Sequence, residues 1–164
     1  KNSYHFGGKR KAMIIVEDTR QQTTKHKNIE KHFQSINQPS VRSKLIVGDY
    51  ARLDNQTVSI DTKKDIVDIS GNICGGQHER FRAECELARK CGIQLIVLIE
   101  EVPPKGDLDN WQSPRTKSGK PLTMVKGSVL KKAMATMSER YGVRFEFITK
   151  DKTAQRIIEI LSAI

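Results

Sequence analysis

Two stretches are apolar without interruption. Residues 12–16 (AMIIV) and 93–99 (IQLIVLI, broken only by Gln94) have no polar alternation, as expected of strands buried on both faces and placed centrally in a sheet. Between them the period changes. Ile29, Phe33 and Ile36 recur at helical spacing and predict a helix over 25–36, and two shorter strands, 44–50 and 57–63, are separated by a turn at Asp54-Asn55. Phe81, Cys85 and Ala88 then give i, i+4, i+7 spacing for a helix over 78–91, with Gly92 as its stop. Beyond Glu100 the pattern lapses. The segment 101–125 holds four prolines and Trp111 with little periodicity, and an irregular stretch of that length in a compact fold is usually functional or mobile, so it is expected to move. Regularity returns with a helix over 127–141 that aligns Leu130, Ala133, Met134, Met137 and Tyr141 on one face. A strand over 143–148 follows, in which Val143, Phe145 and Phe147 alternate with Arg144 and Glu146, and a last helix covers 152–163. The one solvated face of that strand puts it toward a sheet edge. The predicted fold class is α/β, a central mixed sheet flanked by helices.

At 164 residues the chain has the length of one ordinary domain, read here as 12–164 behind a loose basic arm at 1–11 that carries Lys9, Arg10 and Lys11. Lys+Arg number 29 against 19 Asp+Glu, a net charge of +10, which favours a polyanionic partner such as nucleic acid. No apolar run is long enough to span a membrane and the start is too polar for a secretory signal, so an intracellular location and no membrane partner are expected. Three cysteines without a C-x-x-C point to reduced thiols, and the spacing of Cys74, His78 and Cys85 fits no usual zinc pattern.

Candidate chemistry sits at strand ends: Asp18 after the first strand, Asp49 in VGDY, and Asp61 in SIDTK. Side chains alternate along a strand, so Ser59, Asp61 and Lys63 share one face while Val58 and Ile60 point to the other. An acid and a lysine that face the same way suit phosphodiester hydrolysis, in which carboxylates hold a divalent cation and the ammonium steadies developing charge. Two carboxylates about 4 Å apart repel by roughly 4 kcal/mol at an effective dielectric near 20, so convergence of three would call for a cation. Each aspartate also has a plain reading as a turn former or helix cap. Glu84 falls within the apolar arc of its helix and needs a partner there, for which an arginine, Arg80 or one from another element, is the favoured choice. Arg80, Arg82 and His78 near that helix start, with Lys105, Arg115, Lys117, Lys120 and Lys126 in and after the long segment, are candidate nucleic-acid contacts. Trp111 either packs the segment down, the favoured reading, or stacks on an unpaired base. His5, His26 and His32 show no ligand spacing and read as surface residues.

VEDTR (16–20), GDY (48–50) and IDTKK (60–64), an acid-bearing helical stretch and GIQLIVLIE (92–100) together resemble the XPF-type nuclease domain of the PD-(D/E)XK superfamily, strongly over 12–100. The chain resembles its compact stand-alone bacterial and phage members, or a domain cut from something longer. The resemblance implies a restriction-endonuclease-like core and a metal-dependent DNA endonuclease acting with Mg²⁺ or Mn²⁺ on flaps, forks or junctions. It further implies catalytic Asp18, Asp49, Asp61 and Lys63, the three aspartates on the metal, with Arg20, Lys64 and Glu84 around them. A homodimer is a further expectation, and a catalytically inactive DNA-binding module is the alternative. Three departures from the family pattern stand out: Asp61 replaces a glutamate, Thr62 an arginine, and Asp68 fits the closing acid only if counted from Lys64.

Overall fold

A computed structural model describes residues 12–20 and 26–164; the predicted arm at 1–11, with Lys9, Arg10, Lys11 and His5, lies outside them. Six strands, β1 (Ile15–Asp18), β2 (Ser40–Ser43), β3 (Tyr50–Arg52), β4 (Val58–Lys63), β5 (Gln94–Ile99) and β6 (Arg144–Phe147), form one sheet in the order β2-β1-β3-β4-β5-β6. Five helices flank it: α1 (Lys27–Ser35), α2 (Ile66–Ile73), α3 (His78–Lys90), α4 (Gly127–Tyr141) and α5 (Thr153–Ser162). The mixed α/β class follows the pattern, and β6 is indeed an edge strand. The two apolar runs are interior but not adjacent, because β3 and β4 lie between them. β4 is the seam of the sheet. It pairs antiparallel with β3 and parallel with β5.

Alternation along the strands builds two cores. Leu95, Val97 and Ile99 of β5 face α2, α3 and α4, where Ile66, Ile69, Phe81, Cys85, Ala88 and Leu130 fill the layer. Ile15, Tyr50, Ile60, Ile96 and Leu98 face α1 and α5, meeting Ile29, Phe33, Ile157 and Leu161. At about 1.5–3 kcal/mol per buried large apolar side chain, these two layers dominate folding. On β6, Arg144 is exposed, while Glu146 takes Arg156 of α5 in a hydrogen-bonded ion pair of 2.8 Å.

Two elements differ from the sequence pattern. The strand expected over 44–50 is a bent crossing between β2 and β3, although Leu45 and Val47 are buried as alternation requires. At Leu45 and Val47 its backbone is satisfied by side chains: Leu45 N–H donates to Asp18, and the Ser59 hydroxyl donates to Val47 O. Helix α2 was not predicted. Its β-branched residues and Gly71 obscure the period, but Asp65 caps it by accepting from Asp68 N at 2.8 Å, which is a recognisable start signal.

The segment expected to move is anchored through its first half. Two short 3₁₀ turns, Pro104–Gly106 and Leu108–Asn110, bring Leu108 and Trp111 into the first core. The Trp111 indole donates to Glu101 at 3.0 Å, and the other oxygen of Glu101 accepts from Ile66 N at 2.8 Å. Trp111 is 5% exposed, which removes its ring from the candidate base-stacking contacts. The start of α4 docks on the same turn with no room to spare: a Cβ at Gly127 would lie 1.8 Å from Leu108 O. Gly127→Ala is therefore expected to cost about 1–3 kcal/mol or more by overpacking. The check is limited trypsin digestion, where cutting at Lys105 and Arg115 should accelerate; unchanged digestion and melting would show that the turn shifts freely. Among the described residues no helix is long and apolar enough to cross a membrane.

Candidate active-site cleft

A cleft of about 690 Å³ opens where the ends of β1, β3 and β4 meet α2 and α3. It is lined by Asp18, Arg20, Asp49, Asp61, Lys63 and Glu84 of the nominated residues, with Arg80 at its rim and Asp68, Asn72 and Gln77 along the α2–α3 side. Lys64 is outside. Its side chain is exposed and pairs with Asp65 at 3.5 Å. Arg82 lines a separate groove between α3 and α4, and His78, Lys105, Arg115, Lys117, Lys120 and Lys126 are exposed away from the cleft lining.

The acids are held in different ways. Asp18 is 1% exposed and both of its oxygens are filled: Oδ1 accepts from Arg20 N and Nε at 2.7 and 2.9 Å, and Oδ2 from Arg20 Nη2 and Leu45 N at 2.7 and 2.8 Å. Burial pushes its pKa up, but the hydrogen bonds from Arg20 and Leu45 more than offset this and hold the carboxyl below its ordinary value. Arg20 also donates to Leu45 O, so the pair ties the end of β1 to the 44–49 crossing.

Asp49 stands after Gly48, a glycine required by its surroundings. The backbone there has φ +75°, and a Cβ would meet Ser59 Oγ at 2.4 Å and Ile60 O at 2.9 Å. Asp49 N–H donates to Ile60 O and Asp49 O accepts from Asp18 N, which locks the turn between two strands. Its Oδ2 accepts from Thr62 N at 3.0 Å and Thr62 Oγ1 at 2.6 Å. His26 is buried, a correction to its reading as a surface residue. It packs edge-on against Tyr50, with Nε2 3.8 Å from Asp49 Oδ2. No spacing marks His26 or Thr62 in the sequence; only the pairing of β3 with β4 brings Thr62 to Asp49.

Asp61 and Lys63 do share a face, and the Lys63 ammonium lies 2.7 Å from Asp61 Oδ2. The approach is off the hydrogen-bonding direction, so buried Oδ2 has a counter-charge but no aligned donor. Lys63 also sits 5.5 Å from the centre of the Phe81 ring. Burial depresses the pKa of Lys63, yet Asp61 first, then Asp49 and Asp68, raise it overall and keep the ammonium charged. Glu84 has a different partner from the arginine expected. Its Oε1 accepts from Gly48 N at 3.0 Å, and burial, then the charge of Asp61, raise its pKa against the opposing Gly48 amide, Lys63 and Arg20.

Among the described residues no three His, Cys, Asp or Glu side chains stand together as a ready-made cation cage, and Cys74, His78 and Cys85 do not form one either. Asp18, Asp49 and Asp61 thus share a cleft without converging on one point. The donor set still fits a hard divalent ion: carboxylate oxygens line the wall, Asp61 Oδ2 has the Lys63 ammonium beside it but no aligned donor, and no thiol or imidazole competes within the lining.

No protein-family profile and no curated protein sequence matches the chain. Solved structures do. XPF from Aeropyrum pernix aligns with a TM-score of 0.64 at 18% identity, covering 92% of this chain and 64% of that one. XPF from the same organism in complex with DNA aligns with a TM-score of 0.63 at 16% identity and the same coverages. This chain thus spans just under two thirds of the XPF chains, and what it shares with them is the fold, a mixed sheet with its flanking helices.

Proposed function

We propose that the chain is a DNA nuclease that hydrolyses phosphodiester bonds in the cleft at the ends of β3 and β4, using Mg²⁺ or Mn²⁺ and preferring branched DNA. The observation that carries this reading is the buried Asp61–Lys63 pair at 2.7 Å, set with Asp49 and Glu84 in a cleft open to solvent. Charge adds support, since +10 over 164 residues favours a polyanion, and so does the likeness in fold to an XPF found in complex with DNA.

Asp61 and Glu84 line the place a divalent ion would take, with Asp49 beside them on the neighbouring strand. Such an ion would supply Lewis acidity toward a phosphoryl oxygen and a water. Lys63, kept charged by its neighbours, stabilises the negative charge that grows on the attacked phosphate. Arg80 at the rim and the exposed Lys105, Arg115, Lys117, Lys120 and Lys126 are the proposed backbone contacts, each phosphate contact adding to the salt dependence of binding.

End-labelled fork, flap, four-way junction and plain duplex DNA, incubated with Mg²⁺, Mn²⁺ or EDTA, test the proposal. Metal-dependent cutting that EDTA abolishes is expected, with the branched forms cut faster than the duplex. Salt-sensitive binding without cutting in any metal would reduce the chain to a binding module of nuclease fold, and weak, salt-insensitive binding would remove DNA as the partner.

A further inference from the structure

Glu84 is an acid of the cleft that the strand-end motifs do not contain. It comes from the middle of α3, on the side turned to the sheet, between Phe81 and Cys85, which are both buried. One of its oxygens is occupied, because Oε1 accepts from Gly48 N at 3.0 Å, the residue before Asp49. No hydrogen bond reaches Oε2 among the described residues. Asp61 contributes to the same lining and is 4% exposed; the Lys63 ammonium lies 2.7 Å from its buried Oδ2, which has no aligned donor. Asp18 is the opposite case: four hydrogen bonds fill its two oxygens.

We infer that Glu84 and Asp61 are the carboxylates that hold the divalent ion of this cleft, and that Asp18 is a structural latch and not a ligand. The inference rests on the proposed nuclease reading for the presence of the ion. Two carboxylates with water completing the shell are an ordinary arrangement for Mg²⁺ and, by the same oxygen preference, for Mn²⁺. The Gly48 amide fixes one oxygen of Glu84 and so leaves Oε2 for the ion. It also couples the ion to the turn that carries Asp49. A cation between Asp61 and Glu84 would relieve the repulsion between two acids that share a low-dielectric wall.

The test is Mn²⁺ binding to the full chain, read from the signal of free Mn²⁺ by electron paramagnetic resonance, together with melting in EDTA. Glu84→Gln keeps an oxygen for the Gly48 amide, so its melting in EDTA should match the wild type while its Mn²⁺ affinity falls about 10-fold or more. Asp61→Asn should lose affinity similarly, and Asp18→Asn should bind Mn²⁺ as the wild type does. If Asp61→Asn loses Mn²⁺ and Glu84→Gln does not, Glu84 merely braces Gly48 and this inference falls alone. Should the wild type bind no Mn²⁺ or Mg²⁺ at millimolar concentrations, the metal-dependent reading of the cleft falls with it.

Discussion

Asp61→Asn is expected to lower DNA cleavage by at least about 10³-fold, equivalent to about 4 kcal/mol of transition-state stabilisation, while DNA affinity stays near the wild type. The substitution acts twice at one place. It removes a carboxylate whose buried Oδ2 has no aligned donor, and it strips Lys63 of the nearest charge that holds its ammonium protonated inside the fold. Affinity should survive because the proposed phosphate contacts are exposed basic residues and not an acid on the cleft wall. Stability should change little, since the loss of the ion pair is opposed by relief of the Asp61–Glu84 repulsion. Single-turnover cleavage and a binding isotherm, measured on the same preparation with the melting curve, check all three statements. Cleavage reduced less than tenfold would place the chemistry elsewhere.

Asp18→Asn should behave differently and lose stability while remaining folded at room temperature. An asparagine supplies one acceptor and one amide NH₂ where four donors converge, so Leu45 N–H or an Arg20 N–H must face another donor. Arg20 can swing to solvent, its side chain being 53% exposed, but the Leu45 amide cannot. A buried donor left unsatisfied costs about 1–3 kcal/mol, and at about 2–4 °C per kcal/mol for a domain of this size the midpoint should drop by roughly 2–12 °C. The pH dependence follows from the direction of the shift. The folded-state pKa of Asp18 lies below the unfolded value, so its contribution is complete above the unfolded pKa, near 3.9, and is lost as pH falls through the lowered folded value. The wild type should therefore lose stability to acid more steeply than Asp18→Asn. Melting curves at pH 7 and through the acid range decide it. An unchanged midpoint, with metal binding lost, would return Asp18 to the role its motif implies.

What the sequence discloses and what it hides divide along physical lines. Period-2 alternation over Ser59, Ile60, Asp61 and Lys63 specifies which face each side chain takes, and the structure places Asp61 and Lys63 in contact as that alternation requires. The helical spacing of Phe81, Cys85 and Ala88 likewise marks the buried face of α3 and puts Glu84 on its inner side. Local pattern fails where satisfaction is long-range. The 44–49 crossing has the alternation of a strand, but its partners are the side chains of Asp18 and Ser59, distant in sequence. Trp111 and Leu108 sit in a stretch without period because they pack as two isolated knobs against α4 and Glu101, not as a face. His26 approaches Asp49 only after α1 has docked beside Tyr50, and nothing in its neighbours announces that.

The seam at β4 also bears on how the cleft comes into being. On one side of it β3 and β1 join by antiparallel pairings and β2 is added in parallel after α1; on the other, β5 and β6 follow helical crossovers as parallel strands. Asp49 belongs to the first half, Glu84 to the second, and Asp61 with Lys63 to the strand both halves share. A chain emerging during synthesis has made Asp18, Asp49 and Asp61 before α3 and β5 exist, and its cleft is incomplete until they dock. The proposed centre therefore has its wall from α3 only once the last of the fold around it is finished.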